Sequence, residues 1–566
     1  MLLERIYDED LAQASYFIGC QAKGEAIVVD PRRDLDVYLD LATKNGMKIV
    51  AVTETHIHAD YLSGTRELAA KVGAQMYVSD EGGPDWTYSD AFDSAVRMQH
   101  GHQIHLGNIT VEAVHTPGHT PEHMSFLITD GAQSPEPGFM LTGDFVFVGD
   151  LGRPDLLDEA AGFVDTRFAG AKDLFASLRD RFLTLPDYVQ VLPAHGSGSA
   201  CGKALGAIAA STVGYERNFS WWGKYLKNND EQGFVDELLN GQPDAHSYFG
   251  RMKLQNKVGP AVIGDVPELV EYSTADLRQA LADDSVIFVD TRHNTQVHEG
   301  TVDRSLNIPG VAKAASYGAW VVNPDVEHRP LVLLAESREE AEALRDHLVR
   351  VGIDSARGFI TTLDGLDLVT PKLIQPEELE SFESVMLLDV RNKTEYAEGH
   401  VPGAVQLSGG RVMWHLDQLP DPEAGAIVTY CQSGVRNSVA ASALRRAGYD
   451  IVELDGSYAA WAARASGPSA ASKTEVSRDT IILDVRTAEE FAAGHLDGAQ
   501  QLDFNGGEVA ATIPTLDPNA EYLLYCRSGN RSGQAVTLME QAGFTNLTNL
   551  GSLEEAAQAT QIAVVK

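Results

Sequence analysis

The string Leu387-Leu388-Asp389-Val390-Arg391 returns 95 residues later as Ile482-Leu483-Asp484-Val485-Arg486, and the residues after each string keep step. Glu398-Gly399-His400-Val401-Pro402-Gly403-Ala404 is matched by Ala493-Gly494-His495-Leu496-Asp497-Gly498-Ala499, and both copies place a cysteine 42 residues after the aspartate. A self-similar block of this size is one folding unit used more than once. A third, eroded copy lies upstream: Phe288-Val289-Asp290-Thr291-Arg292, then Leu306-Asn307-Ile308-Pro309-Gly310, then Val332-Leu333-Leu334-Ala335. Within each copy, short β-branched runs such as Ala426–Tyr430 alternate with helix-like ones such as Val439–Gly448. That alternation predicts a small parallel α/β sheet with the cysteine loop at a strand's carboxyl end.

The two cysteines sit in loops of one pattern, Cys431-Gln432-Ser433-Gly434-Val435-Arg436 and Cys526-Arg527-Ser528-Gly529-Asn530-Arg531. A loop of backbone N–H groups leading into a helix N-terminus favours negative charge on sulfur, and the closing arginine adds to it. Cys431 and Cys526 are therefore expected as reactive thiolates. The upstream copy has Ala335 at the cysteine position, with Glu339 and Glu340 where the loop's end and its arginine would stand. That copy carries no thiol chemistry and reads as a spacer or docking module.

These loops and repeats resemble the rhodanese (sulfurtransferase) family over about the last 300 residues. The resemblance implies that Cys431 and Cys526 carry a persulfide sulfur and that Arg436 and Arg531 bind an anionic donor such as thiosulfate. A six-residue loop is the length associated with sulfurtransferases, against a longer one in related phosphatases and arsenate reductases. The Ser-, Ala-, Gly- and Pro-rich segment 466–473 reads as a linker between the last two copies.

At 566 residues the chain exceeds what one core supports. The first 250 residues show a different pattern, apolar strands that each stop at a polar loop. Lys48–Thr53 runs into Thr55-His56-Ile57-His58-Ala59-Asp60-Tyr61, Ile109–Val114 into His115-Thr116-Pro117-Gly118-His119, Phe139–Thr142 into Gly143-Asp144, and Tyr188–Leu192 into Pro193-Ala194-His195. Four strand ends delivering His, Asp or both is how a rigid scaffold converges ligands on one metal.

The four loops resemble the metallo-β-lactamase superfamily, which implies an αββα sandwich. In that family's usual first motif, His-x-His-x-Asp-His, the last histidine serves a second metal; here Tyr61 takes its place. The departure favours a mononuclear site. His56, His115 and Asp144 form the expected 2-His-1-carboxylate set, the arrangement that suits non-haem Fe(II). His58, Asp60 and His195 are expected behind the ligands, orienting them or bonding substrate, with a direct role for His58 left open. His119 and His123 read as hydrogen-bonding residues of a Pro-Gly turn.

The resemblance narrows to persulfide dioxygenases (sulfur dioxygenases), through Gly143-Asp144, Gly149-Asp150-Leu151-Gly152-Arg153-Pro154-Asp155 and Pro193-Ala194-His195. It implies one Fe(II) per chain, in preference to zinc, and oxidation of a low-molecular-weight thiol persulfide by O₂ to sulfite and thiol. Sulfite and thiosulfate then link this site to the rhodanese loops, in a direction left open. Cys201, in a small-residue loop after His195, is a candidate sulfur acceptor at the substrate entrance, although no arginine follows it; Cys20 reads as core. Arg153 and Lys203 are candidate grips for the substrate's anionic groups.

The expected architecture is multidomain α/β: a metallo-β-lactamase-like dioxygenase domain over 1–250, a degenerate rhodanese-like module over 262–370, and rhodanese modules over 372–465 and 474–566. Two other readings stand beside it, a glyoxalase II-type zinc thioester hydrolase fused to sulfurtransferase modules and a non-enzymatic sulfur relay. A net charge of −37 argues against sequence-independent nucleic-acid binding and docking on anionic lipid. With no basic-then-apolar leader, no membrane-length apolar run and only four cysteines, a cytoplasmic protein with reduced thiols is expected. The family resemblance adds a homodimer or homotetramer.

Overall fold

The computed structural model describes all residues except 157, 159–165, 204, 267, 466–479, 505, 528–529, 561 and 566. The linker expected at 466–473 lies outside the described residues. The chain divides into two compact units, Met1–Trp461 and Ala462–Lys566.

The first unit opens with two six-stranded sheets. One runs Leu2–Asp8, Gln13–Cys20, Glu25–Val29, Lys48–Thr53, Gln75–Ser79, Val96–Met98 in spatial as in chain order. The other runs Ser211–Thr212, Gln190–Pro193, Phe139–Gly143, Met124–Asp130, Ile109–His115, Gln103–Leu106. Period-2 alternation drives their stacking: Tyr16, Ile18, Ile27 and Val29 from the first interlock with Ile109, Val111, Phe126 and Ile128 from the second. The outer faces are covered by helices. Tyr38, Ala42 and Leu68 pack on the first sheet, and Ala171, Leu174 and Phe175 on the second. This is the expected αββα sandwich.

Two all-parallel five-stranded sheets come next. Val270–Glu271, Ala356–Ile360, Leu331–Leu334, Ile287–Asp290, Leu306–Asn307 is the spatial order of one; Lys372–Ile374, Ile451–Leu454, Ile427–Tyr430, Met386–Asp389, Val405–Gln406 is that of the other. The eroded repeat thus keeps the topology of its intact neighbour. Its hydrophobic strands survive as fully buried Leu331–Leu334 even though the loop after them has lost its cysteine.

The sandwich and these two modules share a core. Tyr61, Leu62, Tyr248 and Met252 pack in one cluster with Leu306, Trp320 and Leu348 and with Val439 and Ala443. Buried and part-buried ion pairs reinforce it: Arg350 reaches Asp8 at 2.7 Å and Asp34 at 2.9 Å, and Arg33 reaches Asp354 at 2.9 Å. The second unit holds a parallel sheet ordered Gln500–Gln501, Ile481–Asp484, Tyr522–Cys526, Leu547–Ser552. No described helix is long and apolar enough to cross a membrane.

Candidate metal centre and sulfur loops

The loops at one end of the sandwich bring His56, His119 and Asp144 together, with one ligand atom of each within 4.8 Å of the others and all three buried. Asp144 Oδ2 lies 4.0 Å from His56 Nε2 and 3.6 Å from His119 Nε2. Each residue has its other polar atom tied. His56 Nδ1 meets Thr55 Oγ1 at 3.0 Å, and that hydroxyl donates to Asp30. His119 Nδ1 donates to the Arg153 carbonyl at 2.9 Å, and His195 Nδ1 holds Asp144 Oδ1 at 2.7 Å. The Nε2 atoms are thereby left as free lone pairs, the tautomer a metal needs.

Asp144 Oδ2 itself is buried and has no hydrogen-bond partner. A buried, orphaned carboxylate oxygen facing two imidazole nitrogens is what a cation would satisfy. Burial alone would raise the Asp144 carboxyl, but the His195 charge and hydrogen bond, with His56 and His119, hold it well below the usual range. Burial and the neighbouring His58 push His56 well below the usual imidazole range.

The structure corrects the expected set at one position. His115 stands at the end of Ile109–His115 with its side chain part-exposed, Nε2 bonded to the Pro121 carbonyl at 2.8 Å and Nδ1 3.9 Å from Glu81. The chain must pass Pro117-Gly118 before it turns back over the centre, and His119 is the residue delivered. Gly118 is at φ 150°, and a Cβ there would lie 2.6 Å from Leu174 Cβ, so only glycine lets the turn rest on the helix Thr166–Ser177. His123 is a loop hydrogen bonder: Nδ1 meets Thr116 at 2.9 Å, and Nε2 accepts the Asp144 N–H at 3.1 Å. Burial and the charge on His119 push it down to about 3.

His58 turns away to Asp30, 3.0 Å from its Nε2; against the cost of burial, that carboxylate raises it to about 9. Tyr61 is fully buried and bonds the Asp30 carbonyl, so it packs the loop and leaves the centre to others. Asp60, His195 and Cys201 form a second buried cluster within 4.8 Å. His195 Nε2 meets Asp60 at 2.9 Å, and the two carboxylates push His195 up to about 10 despite burial. The Cys201 thiol is driven well above its ordinary value by burial, then by Asp144 and Asp60. Sequence reasoning placed Cys201 at an entrance; only the fold shows it beside Asp60. Cys20 is buried in the sandwich core, as expected.

Arg153 and Lys203, candidate grips for an anionic substrate, are engaged within the fold. Arg153 is fully buried in a two-point pair with Asp155, at 2.8 and 2.6 Å, and Lys203 Nζ holds the carbonyls of Glu237 and Asn240.

In the intact repeats the loop cysteines are buried at the strand ends. Cys431 Sγ accepts the Gly434 N–H at 3.1 Å, and Cys526 Sγ accepts from Ser532 Oγ at 3.4 Å. Residues 528–529 of the second loop lie outside the described residues. The loop arginines have partners within their own modules. Arg436 is clasped by both oxygens of Glu395 at 2.7 Å, and Arg531 by Glu490 at 2.7 and 2.9 Å. Their charge is largely matched before any donor arrives, so each arginine first ties its loop to the helix carrying the glutamate. Sequence offered a signal for this, since Glu395 and Glu490 occupy the same place in both copies.

Comparison with known proteins gives the families of the two parts. The metallo-beta-lactamase superfamily model matches residues 8–195, and the rhodanese-like domain model matches 376–464 and 470–559. A solved structure described as a metallo-beta-lactamase, from Staphylococcus aureus subsp. aureus COL, is 38% identical, covers 64% of this chain and 99% of its own, and superposes with a TM-score of 0.57. The chain belongs to the metallo-β-lactamase superfamily and carries rhodanese-like domains. Persulfide dioxygenase ETHE1, mitochondrial, of Mus musculus is 26% identical over 201 residues, 34% of this chain and 68% of that protein. A probable polyketide biosynthesis zinc-dependent hydrolase, BaeB, of Bacillus velezensis is 24% identical over 212 residues, 38% of this chain and 85% of that protein. The family model finds two rhodanese-like domains; the eroded copy shares their strand order without matching the model.

Proposed function

We propose that this chain is an Fe(II)-dependent persulfide dioxygenase coupled to rhodanese sulfur transfer. The observation that carries the reading is the His56, His119, Asp144 triad with its single unpartnered carboxylate oxygen. Two imidazoles and one carboxylate leave open positions for two small ligands, and bound iron would supply O₂ activation there. The surrounding residues prepare the site. Thr55 and the Arg153 carbonyl fix the two histidine tautomers, while His195 orients Asp144 and shares its charge with Asp60. Cys201, held as a thiol beside Asp60 and His195, is the candidate sulfur acceptor near the centre.

Sulfite and thiosulfate connect the two chemistries. A Cys431 or Cys526 thiolate attacks the outer sulfur of thiosulfate; the sulfur–sulfur bond breaks and sulfite leaves with the electron pair, giving a cysteine persulfide. In reverse, sulfite attacks the persulfide and thiosulfate departs. The domain limits expected from sequence, the cytoplasmic location and the homo-oligomer belong to this proposal.

A zinc thioester hydrolase on two metals is the competing reading, because Asp60, His195 and Cys201 offer a second donor set. Against it, both His195 nitrogens are engaged by carboxylates. Anaerobically purified protein of measured metal content, given glutathione persulfide while O₂ uptake is followed, decides between them. Iron-loaded protein that consumes no O₂ sinks the proposal, and thioester hydrolysis by a two-zinc form promotes its rival.

A further inference from the structure

The eroded repeat lies against the Cys431 loop. Its helix Ala314–Val321 packs on Gly409–Val412 and on Val435–Arg446, the helix that the cysteine loop leads into. Buried hydrogen bonds fix the contact: Ser438 Oγ donates to Asn307 Oδ1 at 2.8 Å, and the Asn307 N–H donates to Ser442 Oγ at 2.9 Å. Trp320 fills the space that Gly409 leaves open, 2.7 Å from where a Cβ would be.

One side chain of the eroded module reaches the sulfur loop, and a second lies on the helix packed beside it. Asn294, the first residue of the helix Asn294–Glu299, is only 6% exposed, and a Cβ on Gly434 would lie 2.6 Å from its Nδ2. Gly434 is the residue whose N–H points at Cys431 Sγ. Asn294 Oδ1 is buried with no hydrogen-bond partner. The Nδ2 end is the one that faces Gly434, so the carboxamide presents its N–H donors to the loop. Tyr317 lies on the helix packed against Val435–Arg446, with its ring edge-on to Trp320 at 5.0 Å, and burial raises its hydroxyl above the ordinary tyrosine value so that it stays a donor.

We infer that the eroded module is the second wall of the Cys431 pocket, with Asn294 and Tyr317 donating hydrogen bonds to the oxygens of a small sulfur oxyanion, thiosulfate on arrival and sulfite on departure. The inference rests on the proposed transfer chemistry and supplies what Arg436, clasped by Glu395, is poorly placed to give. It also separates the two active loops. The Cys526 loop belongs to the other compact unit, Ala462–Lys566, and carries Arg527 where Gln432 stands. A repeat that lost its own thiol thus keeps a binding role.

The test uses the full chain in two backgrounds. With Cys526→Ala, transfer runs on Cys431, and Tyr317→Phe or Asn294→Ala should each raise the thiosulfate KM about tenfold, the loss of one hydrogen bond to a charged group. With Cys431→Ala, the same changes should not move the KM of Cys526. Alkylation supplies a readout independent of turnover: in the variants Cys431 should react more slowly with anionic iodoacetate and at an unchanged rate with neutral iodoacetamide. An unmoved KM with an unmoved iodoacetate rate overturns the inference, as does an equal KM rise in both backgrounds. If neither background turns over thiosulfate, the transfer proposal fails, and the alkylation ratio still decides whether Asn294 and Tyr317 recognise an anion.

Discussion

The metal centre and the sulfur loops hold reactive groups by opposite means. Cys431 is presented by six consecutive residues at one strand end, and its sulfur accepts a hydrogen bond from Gly434 within the same loop. His56, His119 and Asp144 come from three separate loops, and each is oriented by a residue with an anchor elsewhere: Thr55 backed by Asp30, the Arg153 carbonyl, and His195. A contiguous loop carries its geometry with it wherever the module goes. A site assembled from separate loops exists only in the finished fold, so its residues are sensitive to changes that do not touch the ligand.

The largest expected effect comes from the correction within the metal loops. His119→Ala should lower iron affinity by about a hundredfold or more and abolish O₂ uptake, whereas His115→Ala should change both by less than about twofold, read by metal content and oxygen electrode. The reverse pattern would restore His115 to the centre. Next, Cys431→Ala with Cys526→Ala should abolish thiosulfate formation and leave O₂ uptake intact; a double variant that still makes thiosulfate would show the contiguous loops to be vestigial. Thr55→Val should weaken iron binding about tenfold by freeing His56 Nδ1, in keeping with residues that orient ligands from behind.

The smallest effect concerns the loop clasp. The Arg531 hydrogen bonds hold Glu490 down to about 2, below its unfolded value near about 4.3. Its contribution to stability is therefore present above about pH 4.3 and lost as pH falls toward about 2. Glu490→Gln should remove that acid-sensitive component, at a cost of about 1 kcal/mol or less for a partly exposed pair, measured by acid unfolding of the variant against the parent chain.

The repeated modules were legible because their signals are local: β-branched strands, helix-like runs and a fixed spacing from Asp to Cys. The sandwich was legible through the family resemblance carried by four strands that stop at His or Asp. What sequence reading missed required a turn or a partner. His115 comes directly after its strand's apolar run and looked like the delivered ligand; the path over Pro117-Gly118 and the contact of Gly118 with Leu174 put His119 there instead. Arg436 and Arg531 looked free because their partners, Glu395 and Glu490, lie 41 residues away in sequence. Arg153 and Lys203 read as candidate grips for an anionic substrate; the fold buries one and ties the other to carbonyls.

By itself, then, the sequence determined the repeat and the chemistry on offer: strand ends that carry His and Asp, three copies of one α/β module, and two thiols in anion-favouring loops. Those arise from periodicity and short-range spacing, which act before the chain is compact. Tertiary structure alone decided which histidine completes the triad, where Cys201 lies, what occupies the loop arginines, and that Asn294 of the eroded repeat lies against Gly434 of the Cys431 loop. Each of these is a meeting of residues far apart in the chain, fixed by which surfaces pack together, and no local pattern encodes it.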